Sequence, residues 1–227
     1  ITDNITAEEV PTATTIASPY FGEYTISDPT HGTQVAVTLS TTERVISTNI
    51  LPNHNTGTFP VPGNPNAISA QNAEYSFPLV PMYTGSPRDV RMSGVGINGV
   101  PFEPGTAETV TCASGETYRV EGQQDIMNLG LDMNLAHVQP TGMYHYHGSP
   151  TGLIAFADNG NDLVHIGFAP DGHMMYYSKS GAYATSYKLS TTPRSGTNCI
   201  ITGPGSPTIT IANTSPDGSL TDDWMYQ

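Results

Sequence analysis

Lysine is nearly missing from this chain. Among 227 residues only Lys179 and Lys188 carry an amine side chain, and charged residues of all kinds make up 12%, about half the ~25% of an ordinary globular domain. Seven basic residues stand against 20 acidic ones, for a formal charge of −13 and a pI near 4.6. A nucleic-acid or anionic-membrane surface needs clustered Lys/Arg, so the charge argues against both partner classes. No run of 18 apolar residues occurs, which argues against a spanning helix. No basic n-region and apolar h-region open the chain, and Ile1 reads as a processed or trimmed start. There is no G-x-S-x-G, no H-E-x-x-H and no P-loop. A single tryptophan, Trp224, is thin support for a sugar-stacking module.

What the chain does have is glycine (23), proline (19), and enough apolar and aromatic residues (37% and 8%) to build a core. That mixture argues against disorder and against long helices. Short β-like runs recur between Gly, Pro and Asn turns: 34–39, 45–51, 75–80, 107–112, 117–121, 143–147, 152–157, 163–168, 173–178, 183–189 and 208–212. The expected fold is all-β, a sandwich-like antiparallel core with long ordered loops. Residues 1–29, Thr-rich and broken by Pro11, Pro19 and Pro29, read as an extended N-terminal arm, and residues 30–227 as one β domain. The Pro-rich stretch 49–71 reads as a long ordered loop.

Cys112 and Cys199 are not spaced as C-x-x-C. In an acidic, Thr-rich chain they read as one disulfide formed in an oxidising compartment, with two buried free thiols as the alternative. Asn4 and Asn213 open N-x-S/T sequons, which suit an extracellular chain.

The sharpest feature is Tyr144-His145-Tyr146-His147. Side chains alternate along a strand, so His145 and His147 share one face, about 6.5–7 Å apart at Cα, and the tyrosines share the other. Upstream, His137-Val138-Gln139 leads into Pro140-Thr141-Gly142. If these three residues form a hairpin loop with Gly142 left-handed, His137 lies opposite His145. A two-residue loop would place His137 opposite Tyr144 instead. In the first register three imidazoles meet at one spot, a donor set suited to Zn or Cu. Hydrogen-bonded core histidines are the bland alternative. Asp132, His165, Asp171 and His173 are further candidate ligands, and Met174-Met175 and Met143 read as packing residues. The oxygen-rich turn 158–162 is a weaker candidate for Ca²⁺, because it lacks the length and terminal Glu of an EF-hand loop. Asp222-Asp223 reads as a solvated chain end.

The run LDMNLAHVQPTGMYHYHGSP over 131–150 resembles the signature of the YHYH-domain family of secreted bacterial proteins. Leu51-Pro52-Asn53-His54, Asn64-Pro65-Asn66, Gly99-Val100-Pro101-Phe102 and 166–172 resemble further blocks in the same order, so the resemblance spans roughly 50–189. It departs after Asp171-Gly172, where His173-Met174-Met175-Tyr176 replaces an apolar F-P-I-Y. The resemblance implies a secreted protein with a metal site and assigns no reaction. Three function classes follow. The first is a non-catalytic secreted or cell-surface protein with a structural metal, self-associating through its arm as a fibre-type subunit. The second is a secreted Cu- or Zn-dependent metalloenzyme with an open position on His137, His145 and His147, and with Tyr144, Tyr146 and Tyr176 as redox or acid groups. The third is a carbohydrate- or small-molecule-binding module. The first is the favoured expectation.

Overall fold

A computed structural model describes residues 17–82, 85, 90–201, 209–211 and 214–226. The sequons at Asn4 and Asn213 and the start of the arm lie outside these residues. The chain opens with β1 (Tyr24–Asp28), β2 (Thr33–Leu39), β3 (Glu43–Thr48) and β4 (Ala73–Pro78), a meander in which each strand pairs antiparallel with the next. In β2, Thr33, Val35 and Val37 are buried while Gln34, Ala36 and Thr38 face out, a period-two pattern set by β-branched residues on one face.

Two short strands follow, β5 (Gly94–Gly96) and β6 (Pro101–Phe102), and then the hairpin of β7 (Gly105–Thr111) and β8 (Thr117–Glu121). The chain returns as β9 (Ala136–Val138) and β10 (Tyr144–Tyr146), a short helix α1 (Thr151–Ala157), β11 (Leu163–Phe168) and β12 (Met174–Ser178). It ends with β13 (Tyr187–Leu189), β14 (Cys199–Ile201), β15 (Ile209–Ile211), a 3-10 turn over Thr221–Asp223 and β16 (Trp224–Tyr226).

A six-stranded sheet, β12-β11-β5-β6-β10-β9, packs against the first meander. Val35, Val37, Ile46 and Phe77 from the meander meet Val95, Phe102, Tyr144, Tyr146 and Phe168 in one buried cluster. A third sheet, β15-β14-β7-β8, encloses a smaller cluster of Val110, Cys112, Val120, Cys199, Ile211 and Leu220. Cys112 and Cys199 are disulfide-bonded, and no free cysteine remains. β13 and β16 form a separate ribbon.

The fold is all-β, with four departures from the sequence expectation. First, the core is not wholly antiparallel, since β6 and β10 run parallel, with Tyr146 beside Phe102. Second, residues 152–157, read as a strand, are helical in α1. A short apolar run fits either period, and here Leu153 is buried while Ile154 and Ala157 pack against the main core. Asn134 also favours the helix: its Oδ1 accepts the Gly152 N–H at 2.8 Å and the Thr151 hydroxyl at 3.2 Å, satisfying first-turn donors.

Third, the end of the segment read as arm is the edge strand β1, paired to β2 from Tyr24↔Val37 to Asp28↔Thr33. Just before it, Arg44 donates to the Phe21 carbonyl at 2.8 Å, and at its first residue the Tyr24 hydroxyl donates to the Ile97 carbonyl at 2.9 Å. Fourth, Asp223 is fully buried rather than solvated. It pairs with Arg194 and accepts the N–H groups of Asp217, Gly218 and Leu220.

The expected loop 49–71 holds no strand, only an isolated bridge between Val61 and Asn64. It lies along the β9–β10 hairpin: Asn64 and Asn66 each donate from Nδ2 to the Val138 carbonyl at 2.8 Å, and the Ser69 N–H donates to the Gly142 carbonyl at 2.9 Å.

Candidate metal centre

The site begins with a turn. Gly142 has φ +86°, the left-handed conformation that closes a three-residue loop, and a Cβ there would strike the Ser69 side chain. The Gln139 N–H donates to the Met143 carbonyl at 2.9 Å, and the pairing then runs Val138↔Tyr144, His137↔His145 and Ala136↔Tyr146. His137 faces His145, as the three-residue loop requires.

Alternation then sorts β10 by face. Tyr144 and Tyr146 enter the main core, and His145 and His147 turn the other way. His137, His145 and His147 can each present one nitrogen such that all three lie within 4.8 Å of one another. The rings stand 4.6–4.8 Å apart between centroids. His137 Nε2 and His147 Nε2 are 3.0 Å apart, near the ~3.3 Å edge that two nitrogens subtend on a tetrahedral ion with ~2.0–2.1 Å bonds.

Each ring has its other nitrogen against a backbone carbonyl. His137 Nδ1 meets Leu129 O at 2.7 Å, His147 Nδ1 meets Pro104 O at 3.3 Å and His145 Nδ1 meets Met143 O at 3.4 Å. A carbonyl only accepts, so in the neutral rings the proton sits on Nδ1 and the Nε2 lone pairs are free. Two such lone pairs 3.0 Å apart repel unless a cation lies between them. Burial first, and then the neighbouring imidazoles, push His145 down to about 3; burial and then His137 push His147 down to about 4. Protons therefore compete weakly for these nitrogens at neutral pH. Glu103 stands on the rim, held by Gln139 Nε2 at 2.6 Å and by Arg91 at 3.7 Å; burial raises its carboxyl above the usual range.

The packing is close enough to be tested at one glycine. A Cβ on Gly122 would fall 3.0 Å from His147 Nδ1 and 2.8 Å from Pro104 O, the pair that orients that ring. Gly122→Ala should weaken metal binding about 10-fold or more while far-UV circular dichroism stays unchanged. Equal affinity in a titration would show that this support is dispensable.

The other candidate ligands lie elsewhere. Asp132 is on the tyrosine side of β10, where it accepts the Tyr144 hydroxyl at 2.7 Å and the Gly57 N–H at 2.9 Å. His165, on β11, is buried between Phe21, Phe168 and Tyr176, with its nitrogens bonded to Ser18 and Gly167. Tyr176 thus belongs to the His165 surroundings. Asp171 and His173 pair with each other at 3.2 Å on the exposed β11–β12 turn. In the 158–162 turn, Asp158 receives Lys179 Nζ at 2.8 Å and Asp162 receives the Ser180 N–H at 2.6 Å, so the protein itself satisfies these oxygens.

Sequence reasoning assigned no role to the residues behind the tyrosines. His54 Nε2 accepts from the Tyr146 hydroxyl at 2.7 Å, and Asn98 Nδ2 bonds both that hydroxyl at 2.9 Å and Asn53 Oδ1 at 3.0 Å. The blocks 51–54 and 99–102 marked these loops without revealing their partners, which are 48 and 92 residues away from Tyr146 in sequence.

Burial also holds His165 down to about 4, well below its ordinary 6.5. A lowered histidine is neutral when folded and protonated first when unfolded, so stability is present above pH 6.5 and is lost as pH falls toward 4. His165 alone should remove about 2 kcal/mol between pH 7 and 5, and His145 and His147 act in the same direction. Urea titrations in chelator at the two pH values check this; an unchanged midpoint contradicts it.

A search of curated proteins and of solved structures finds no match to this chain. A family model described as YHYH protein matches residues 74–227, which contain all three clustered histidines, Glu103 and both cysteines. It extends the resemblance past 189 to the end of the chain and leaves the blocks at 51–54 and 64–66 outside the match. With some two-thirds of its length matched, the chain belongs to the YHYH protein family.

Proposed function

We propose that this is a secreted or cell-surface metal-binding protein, with a zinc or copper ion held by Nε2 of His137, His145 and His147. One observation carries the reading. Three imidazoles turn one nitrogen onto backbone carbonyls and bring the others to a common point. Imidazole donors suit late first-row divalent ions and not Ca²⁺. The disulfide, together with the lack of any helix among the described residues long and apolar enough to cross a membrane, fits an extracellular setting. Metal analysis of natively purified protein tests the proposal, with X-ray absorption for the donor set. One equivalent of Zn or Cu on about three nitrogen donors is expected; a protein that takes up neither ion refutes it.

The favoured role is non-catalytic. Self-assembly through the arm would fall to residues 1–16, since residues 17–28 bond to their own domain. A chain lacking 1–16 that sediments like the full chain removes that role.

The second reading, a metalloenzyme, is favoured by the donor count. Among the described residues the cluster contains three His/Cys/Asp/Glu ligands, and catalytic zinc sites keep three protein ligands with one position open, whereas structural sites close with four. Azide added to the cobalt-substituted protein separates the two. A shifted visible spectrum favours an open site, and an unchanged one favours a closed site.

A further inference from the structure

Away from the histidine cluster, a second group of side chains surrounds one peptide bond, that between Ala17 and Ser18. The Ser18 hydroxyl lies 2.8 Å from His165 Nδ1. His165 Nε2 lies 3.0 Å from the Gly167 carbonyl, an acceptor, so the ring proton sits on Nε2 and Nδ1 is free to take one from Ser18. Phe21, Phe168 and Tyr176 hold the ring, with centroids 5.0–5.5 Å away. The Tyr20 N–H, 3.2 Å from the Ser18 oxygen, fixes the hydroxyl. On the other side, Asn159 Nδ2 donates to the Ala17 carbonyl oxygen at 2.8 Å.

These are the parts of an acyl-transfer site: a nucleophile, a base within hydrogen-bond reach, a group that orients the base, and a donor on the carbonyl to be attacked. The carbonyl they address is Ser18's own neighbour. We propose that the chain cleaves itself between Ala17 and Ser18, with Ser18 as nucleophile, His165 as base and Asn159 as the oxyanion donor. His165 Nδ1 takes the hydroxyl proton as Ser18 Oγ bonds to the Ala17 carbonyl carbon. Negative charge gathers on the carbonyl oxygen, against Asn159. The proton then passes from Nδ1 to the Ser18 amide nitrogen, and the C–N bond breaks. This leaves an ester from Ala17 to Ser18 Oγ and a free Ser18 α-amine. Water hydrolyses the ester to an Ala17 carboxylate and restores the hydroxyl.

The seating of the arm does not depend on these contacts. Arg44 binds the Phe21 and Gly22 carbonyls, Tyr24 binds Ile97, and β1 is laddered to β2. A cut at Ala17 would therefore leave the chain from Ser18 onward in place.

The test is intact-mass spectrometry of the purified full chain during incubation at neutral pH with protease inhibitors, with and without hydroxylamine, which attacks esters. Wild type should yield two products, residues 1–17 and a chain beginning at Ser18, with hydroxylamine hastening the split and leaving a hydroxamate on Ala17. Ser18→Ala should stay whole. Asn159→Ala, at an exposed turn, leaves the fold intact and should slow cleavage about 10²-fold, which keeps the test decisive if a buried His165 variant fails to fold. A wild-type chain of unchanged mass in hydroxylamine overturns the proposal, as does Ser18→Ala cut at the wild-type rate.

Discussion

Replacing His145 with alanine should lower zinc or copper affinity by about 10²–10³-fold. A structural zinc site is worth ~10–16 kcal/mol across four ligands, so one imidazole carries ~3–4 kcal/mol, and each 1.4 kcal/mol is a factor of ten. His145 is the central member of the cluster, on β10 directly opposite His137 and two residues from His147. The same experiment reads stability. An ion at 100 times its dissociation constant adds about 2.7 kcal/mol to a folded state that alone binds it. Zinc should raise the melting temperature of wild type and leave the His145→Ala variant where its metal-free form melts. Equal shifts in both proteins would place the bound ion elsewhere.

The second large effect concerns the disulfide. Among the described residues, the cluster under β7, β8, β14 and β15 has six buried members, and Cys112 and Cys199 are two of them. The bond closes a separation of 87 residues, for which chain entropy gives about 4–5 kcal/mol. Changing both cysteines to serine should lose that amount and should lose it locally. Hydrogen exchange should quicken across 105–121 and 199–201 first, while the β1–β4 meander keeps its protection. If both regions loosen together, the two clusters unfold as one unit.

The histidine cluster was legible because its information is local. Gly142 after Pro140-Thr141 selects the loop length, loop length selects the register, and register brings His137 to His145. The Val and Thr of β2 were equally plain, since one face is buried and the other is not. Where the deciding partner was distant, the sequence was silent. Residues 152–157 carry an apolar run compatible with either period; the helix depends on Asn134, an amide whose partners cannot be named from its neighbours. Tyr24 and Ile26 look sparse among polar residues until β2 supplies the strand they lie beside. Asp132 has the chemistry of a ligand and sits near the histidines in sequence. The alternation of β10 put its partner, Tyr144, on the opposite side.

That alternation makes β10 a two-sided key. One side fits a core lined with Phe102, His54 and Phe59 against the two tyrosine rings; the other presents the donors. Sliding or lengthening the strand by a single residue exchanges the sides, driving imidazoles into the apolar layer and phenols into the place of the ligands. Point changes at the tyrosines can leave the donors where they are, but a one-residue insertion or deletion between Gly142 and His147 cannot. The spelling of the motif therefore constrains the length of the hairpin as strictly as its composition, and the tyrosines act as the proofreaders of where the histidines stand.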